Sequence, residues 1–437
     1  MKNSKLSPEK PPIQNIERIA LWLKTIKNPS FPKLFNSSIH LNKDNQLLLL
    51  TRNSANPSKL SVLFINLNTF AVEDKFSFTN EDVNDQNLDT FMFHYQSLLI
   101  YEKIYFLKNC PTKDDETVFI GDLKSKKMFA VKNDFTRPLC FRVNYSINYY
   151  LLKIIIFGGI KVDTMEPLNI LDSFDITTYK WETIKTKGKS PDPRHSHNSF
   201  IINDILYILG GTNSPDLFQN SGIMDDLFLL DLKTFCWTPI KTFGSIPKYL
   251  GYNYLITLNE KKIMVLWSER GFNQSSFEMQ ISYLDLVNYE WENSILSLKQ
   301  PEYRYNAGMC YDQTNKIVYF YGGFYFNKPE NLSLGNELDR LKIFEDKNIE
   351  NMEKIELYGG EKFNIDKINL NMEGKIGESI ENSNFYKNDE LNIDDEEISF
   401  EELLEREKKL QEEEKNRNEN KKEKGKKKKT KKNKTKK

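Results

Sequence analysis

The chain has 437 residues, 62 basic and 62 acidic side chains, and 28% charged against 39% hydrophobic residues, which excludes a chain that is core throughout and implies a large domain plus polar extensions. Four cysteines, Cys110, Cys140, Cys236 and Cys310, show no CxxC spacing; this excludes a cysteine zinc site and reads as core residues of a reduced protein. The first residues, MKNSKLSPEKPPIQ, lack an apolar signal core, and the most apolar run, 151–157, is broken by Lys153, so a cytoplasmic protein without membrane contact is expected, with a nuclear location as the alternative.

In chain order, the first patterned stretch is IERIALWLKTIKNPSFP, residues 16–32. Alone it resembles a short amphipathic helix, with Ile16, Ile19, Leu23 and Ile26 near one face. Trp22 is followed by a proline ten positions later, however, and the same interval separates Trp181 from Pro191, Trp237 from Pro247 and Trp291 from Pro301. Residues 20–26 are therefore expected to be the outermost strand of a sheet whose other strands lie far along the chain.

QLLLL ending at Leu50 and IYFLKN ending at Asn109 follow as strands. LLKIIIFGG then ends at Gly158 and Gly159, with Asp175 six residues before Trp181. ILYILGG ends at Gly210 and Gly211, with Asp231 six residues before Trp237. IMVLWS carries Trp267 and Ser268 at the glycine positions but keeps Asp285 six before Trp291, and IVYFYGG ends at Gly322 and Gly323. A glycine pair supplies positive φ and close backbone approach where strands leave a crowded sheet stack. The tryptophan is the large apolar element that one small sheet buries against the next.

Gly-Gly, Asp and Trp at this spacing resemble the kelch repeat, a four-stranded propeller blade of about 50 residues. The markers at about 51, 108, 158, 210, 267 and 322 count six repeats. The resemblance implies an all-β fold: a six-bladed kelch-like β-propeller over residues 1–358, with 16–30 as the closing strand of the last blade.

Beyond it the composition changes. Residues 359–398 are rich in Asn, Asp and Glu and are expected to be a disordered linker. Ser399 and Glu402 form a capping box for a charged helix over 399–416, supported by Glu402 with Arg406 and Glu405 with Lys409. Its apolar positions span little more than one heptad, too short for a stable coiled coil. Residues 417–437 are a lysine-rich tail.

His195 and His197 have the spacing of one strand face, but a metal site needs further ligands, and none is expected. The kelch pattern tends to carry an arginine and a histidine three residues on, which implies that Arg194 and His197 are bonded between blades. Arg142 with Tyr145, and Arg304 beside Tyr305, stand at equivalent places. Two readings remain open for these arginines: a basic, aromatic rim at one mouth of the channel that takes an acidic peptide, or internal braces. Asp175, Asp231 and Asp285 are read as turn residues that bond backbone amides.

No G-x-S-x-G elbow, P-loop or dinucleotide fingerprint is present, so neither a catalytic residue nor a cofactor is expected, and the chain is read as a non-enzyme. The long loops 212–226 and 324–338 carry apolar residues, among them Phe218 and Met224, and are the expected partner surface. The sequence thus points to a protein-interaction scaffold with Arg142, Arg194, His197, Arg304, Tyr305, Phe218 and Met224 as candidate contacts. The alternatives are a nucleic-acid- or ribosome-associated factor that uses the lysines from Lys421 to Lys437 for polyanion contact, and an enzyme with a site in the channel.

Overall fold

The computed structural model describes residues 19–28, 38–52, 60–80, 95–108, 118–131, 142–161, 163–215, 222–251, 253–268, 279–294, 304, 307–328, 331–334 and 337–344. The linker, helix and lysine tail expected beyond 358, and Cys110 and Cys140, lie outside these residues.

The described strands assemble into six antiparallel blades of four main strands each. Blade one is Ser38–Leu41, Gln46–Arg52, Leu60–Asn66 and Val72–Ser77, from inner to outer edge. Blades two to five repeat this order, with second strands Lys103–Lys108, Lys153–Phe157, Ile205–Leu209 and Lys262–Ser268. Blade six takes Gly308–Asp312, Ile317–Tyr321 and Leu338–Phe344 from the end of the propeller sequence and Ile19–Ile26 from its start. Trp22 stands opposite Leu341 in that antiparallel pair, and Ala20 is buried between blades five and six. The N-terminal strand expected from the Trp-to-Pro interval closes the ring.

The second strands are apolar throughout because both of their faces are covered. Leu47 and Leu49 pack with Tyr319 and Tyr321 of blade six, while Leu48 and Leu50 pack with Ile104 and Phe106 of blade two. Alternate side chains point to opposite faces, so one run feeds two interfaces. Six such clusters close the circle. Trp237 packs on Phe157 of the preceding blade at 5.4 Å, Trp291 is buried between blades four and five, and Met128 fills the corresponding place in blade two. Trp181 is only half-buried, against Phe174.

Where glycines end a second strand, the strand stops one residue earlier, at Phe157, Leu209 and Tyr321. Where they are missing the strand runs on through the same positions, to Arg52 and to Ser268. The Trp-to-Pro spacing also has a structural cause. Lys187–Gly188 and Phe243–Gly244 run parallel along the outer strand of the following blade, as Thr79–Asn80 does on blade two. A Cβ on Gly188, whose φ is +77°, would stand 2.5 Å from the Trp237 carbonyl oxygen. The residues after Trp181 and Trp237 thus stitch one blade to the next.

One expectation fails. Cys236 is exposed on an outer strand instead of lying in the core, and Cys310 is partly buried.

Candidate functional site: the clipped loops of the glycine-pair face

Strand direction sorts the connections onto two faces. The turns between first and second strands and between third and fourth strands lie on one face; the loops that follow the glycine pairs lie on the other.

On the glycine-pair face, Arg194 holds both ends of the loop between Gly210 and Asp226. Its Nη1 donates to the Gly210 carbonyl at 2.9 Å and to Asp226 Oδ1 at 2.5 Å, Nη2 reaches Asp226 Oδ2 at 3.0 Å, and Nε donates to the Asp192 carbonyl at 3.0 Å. Arg142 does the same in blade three, donating to the Gly158 carbonyl at 3.1 Å and to Asp172 at 2.7 Å. In blade six Arg304 donates to the Glu337 carbonyl at 3.2 Å and to Asp339 at 2.5 Å. A planar fork can bond a carbonyl and a carboxylate together, which a single ammonium does less well.

These three guanidiniums are buried, at 4%, 0% and 4% exposure, and each is paired inside its own blade. The reading of Arg142, Arg194 and Arg304 as an open basic rim for an acidic ligand is therefore overturned. The braces lie within blades rather than across them, because each arginine precedes the inner strand of the blade whose loop it clips.

The link between blades runs through the neighbouring backbone and through His197. Gly159 N–H donates to the Arg194 carbonyl and Gly211 N–H to the Leu250 carbonyl, both at 2.9 Å. A side chain at Gly211, with φ +99°, would meet His197 Cβ at 2.7 Å. His197 Nε2 shares a 2.8 Å bond with Ser146 Oγ of blade three. Its pKa falls to about 3, first through burial and then through Arg194, His195 and Arg142, so it is neutral and enclosed, not a partner contact. Nor do the two histidines share a strand face. They precede the inner strand Asn198–Ile202, and Ser196 between them has φ +53°. His195 instead bonds the Ser214 carbonyl at 2.9 Å.

Of the other candidates, Met224 is half-buried and its N–H bonds the Gly211 carbonyl at 2.9 Å, within the loop where Thr212 bridges both His195 and Ile223. Phe218 and Tyr305 lie outside the described residues. In blade six the corresponding loop forms a hairpin, Phe324–Lys328 with Asn331–Leu334. The clip pairing was the relation that sequence reading missed; its signal is an arginine about 30–35 residues before an aspartate in each of three blades.

Asp175 and Asp231 accept two backbone N–H bonds each in their turns, and Asp285 likewise. Those bonds, led by the Thr177 hydroxyl, hold Asp175 at about 2. Among the described residues no group of three or more His, Cys, Asp or Glu side chains could hold a metal ion.

Comparison with known proteins agrees with this geometry. Residues 108–266 match the family model described as the KLHDC2/KLHL20/DRC7 Kelch-repeats domain, a span from the second strand of blade two to that of blade five. Human Kelch domain-containing protein 3 is 34% identical over 101 residues, 23% of this chain and 25% of that protein. Human Host cell factor 2 is 26% identical over 215 residues, covering 43% of this chain and 26% of the relative. The Dictyostelium discoideum protein named probable inactive serine/threonine-protein kinase roco10 is 27% identical over 266 residues, 56% of this chain but 10% of its own length. The matches thus span about a quarter or less of these relatives. With six blades, glycine pairs at positive φ and tryptophans on the preceding blade, the chain is a six-bladed β-propeller whose residues 108–266 match a kelch-repeat domain.

Proposed function

We propose that this chain is a non-enzymatic protein-interaction scaffold that takes its partner on the glycine-pair face, through the loops of blades three, four and six. The observation that carries this is the arginine clip. In blades three and four the first and last residues of a long loop are tied to one buried guanidinium, and in blade six Arg304 ties the loop's end. Loop length and sequence can then vary without loosening the sheet beneath, which is what a recognition loop on a rigid frame requires. The kelch relatives support an interaction role for this fold.

The test is quantitative affinity capture with the full chain against a variant in which residues 215–222 are replaced by a Gly-Ser linker of equal length. A partner lost with the loop and kept by the wild-type chain is the expected result; identical captured sets from both would refute the loop assignment.

The lysines of residues 421–437 favour a second reading, contact with a polyanion. A polycation binds by counterion release, so affinity for single-stranded RNA should fall steeply between 50 and 200 mM salt, roughly in proportion to the phosphates neutralised. Equal binding by full-length and tail-deleted protein would end that reading.

A further inference from the structure

The face opposite the clipped loops carries an apolar patch that the scaffold reading does not use. In blade three the turn between inner and second strands is Leu151-Leu152, with φ +43° and +65°, and the side chains are 72% and 46% exposed. Two consecutive positive φ values in a two-residue hairpin are the type I′ turn, which strongly prefers Asn and Gly because Cβ crowds the backbone there. Blade four satisfies the same turn with Asn203-Asp204, at +49° and +63°. The backbone requirement is shared: Ile176 N–H bonds the Leu152 carbonyl as Leu232 N–H bonds that of Asp204. Two leucines here are therefore costly twice over, in backbone strain and in exposed apolar surface, and strain of this kind clusters at functional places.

The patch extends across blades two and three. Tyr101, 80% exposed at φ +56°, occupies the same turn in blade two, close enough to Tyr149 beside the leucines that, after burial, it raises the Tyr149 pKa. Tyr179, at φ +57° in the next turn of blade three, stands 6.2 Å from Phe129 of blade two. Lysines surround it: Lys103, Lys124, Lys126 and Lys127 on blade two, Lys153 and Lys180 on blade three. Of the carboxylates facing these elements, Glu102 is paired with Lys43 of blade one, Asp74 of blade one with Lys126 and Glu182 with Lys153, while Asp122 and Asp175 accept turn amides.

We propose that this patch is covered by the chain's own residues 394–407, DDEEISFEELLERE, whose Ile398, Phe400, Leu403 and Leu404 pack on Leu151, Leu152 and Tyr101 while the flanking carboxylates face the lysines. Three observations select this occupant. The segment holds eight carboxylates and one arginine around four large apolar residues, the complement of the patch. The last described strand, Leu338–Phe344, finishes on this same face, since Ile343 N–H bonds the carbonyl of Lys316 in the corresponding turn of blade six. The 49 residues from 345 to 393 are also enough: a flexible chain of that length would span about 40 Å on average, against a radius of gyration of about 20 Å for a domain of this size. Tethering raises the local concentration to the millimolar range, so a modest patch suffices.

Hydrogen exchange on the full-length chain tests this, comparing wild type with Leu151→Asn/Leu152→Asp, which adopts the turn chemistry of blade four and keeps the fold. Amides of 394–407 should exchange at least about 10-fold slower in wild type than in the variant. Reciprocally, Leu403→Asp/Leu404→Asp should speed exchange of the amides around Tyr149 and Leu152. Fast exchange of 394–407 in the wild type overturns the proposal, and so does protection that survives in L151N/L152D, which would be the segment's own helix. A wild-type dimer that becomes monomeric in L151N/L152D, measured by sedimentation, assigns the patch to a second copy and equally overturns it. The patch and the clipped loops lie on opposite faces, so either assignment can fail alone.

Discussion

Arg142→Met is the sharpest test of the clip. Nη2 lies 2.7 Å from Asp172 Oδ2, and the two side chains are 5% and 0% exposed. At an effective dielectric constant near 20 the attraction is about 6 kcal/mol, but withdrawing both charges from water costs several kcal/mol each, so the intact pair is near balance. Removing the arginine alone leaves the Asp172 carboxylate buried without its cation and the Gly158 carbonyl without its donor. The expected loss is about 3–5 kcal/mol. The double variant Arg142→Met/Asp172→Leu removes both charges and should recover most of that loss. Urea unfolding followed by tryptophan fluorescence reads the stability, and protease cleavage within 159–170 reads whether the loop base has loosened. If Arg142→Met costs under about 1 kcal/mol, or the double variant loses as much as the two single changes together, the clip is not the energetic element described here.

The tryptophans should grade by burial: Trp237→Ala and Trp291→Ala about 3–5 kcal/mol each, the half-buried Trp181→Ala about 1–2 kcal/mol, with equal urea midpoints for all three arguing against the blade packing. His197 titrates at about 3 when folded and near 6.5 when unfolded, so the unfolded chain binds the extra proton and stability should fall as pH drops from 6.5 towards 3. About 1.6 kcal/mol of that loss falls between pH 6.5 and 5, and His197→Asn should flatten this part of the profile; an unchanged slope would place the histidine elsewhere. Deleting residues 1–27 removes the outer strand of blade six and the Thr25 bond to Asp339 and opens the ring, so the whole propeller should lose cooperative unfolding; an unaffected melting transition would contradict closure.

Local pattern carried the architecture. Period-two burial on two-sided strands yields uninterrupted apolar runs, and a residue bound to its own turn, such as Asp231, declares itself by position because its partners are two and three residues away. Even the closing strand was legible, since Trp22 keeps the Trp-to-Pro interval that the stitches impose after Trp181 and Trp237. The arginines were different. Whether Arg142, Arg194 and Arg304 face solvent or a carboxylate depends on Asp172, Asp226 and Asp339, which lie 30–35 residues away across a loop of unrelated sequence. Only folding brings those partners together, and a charge's role is decided by what surrounds it. The leucine turn shows the same division: LLKIIIF, 151–157, reads as the strand that runs into the glycine pair, and only the backbone at Leu151 and Leu152 turns its first two leucines into an exposed hairpin turn.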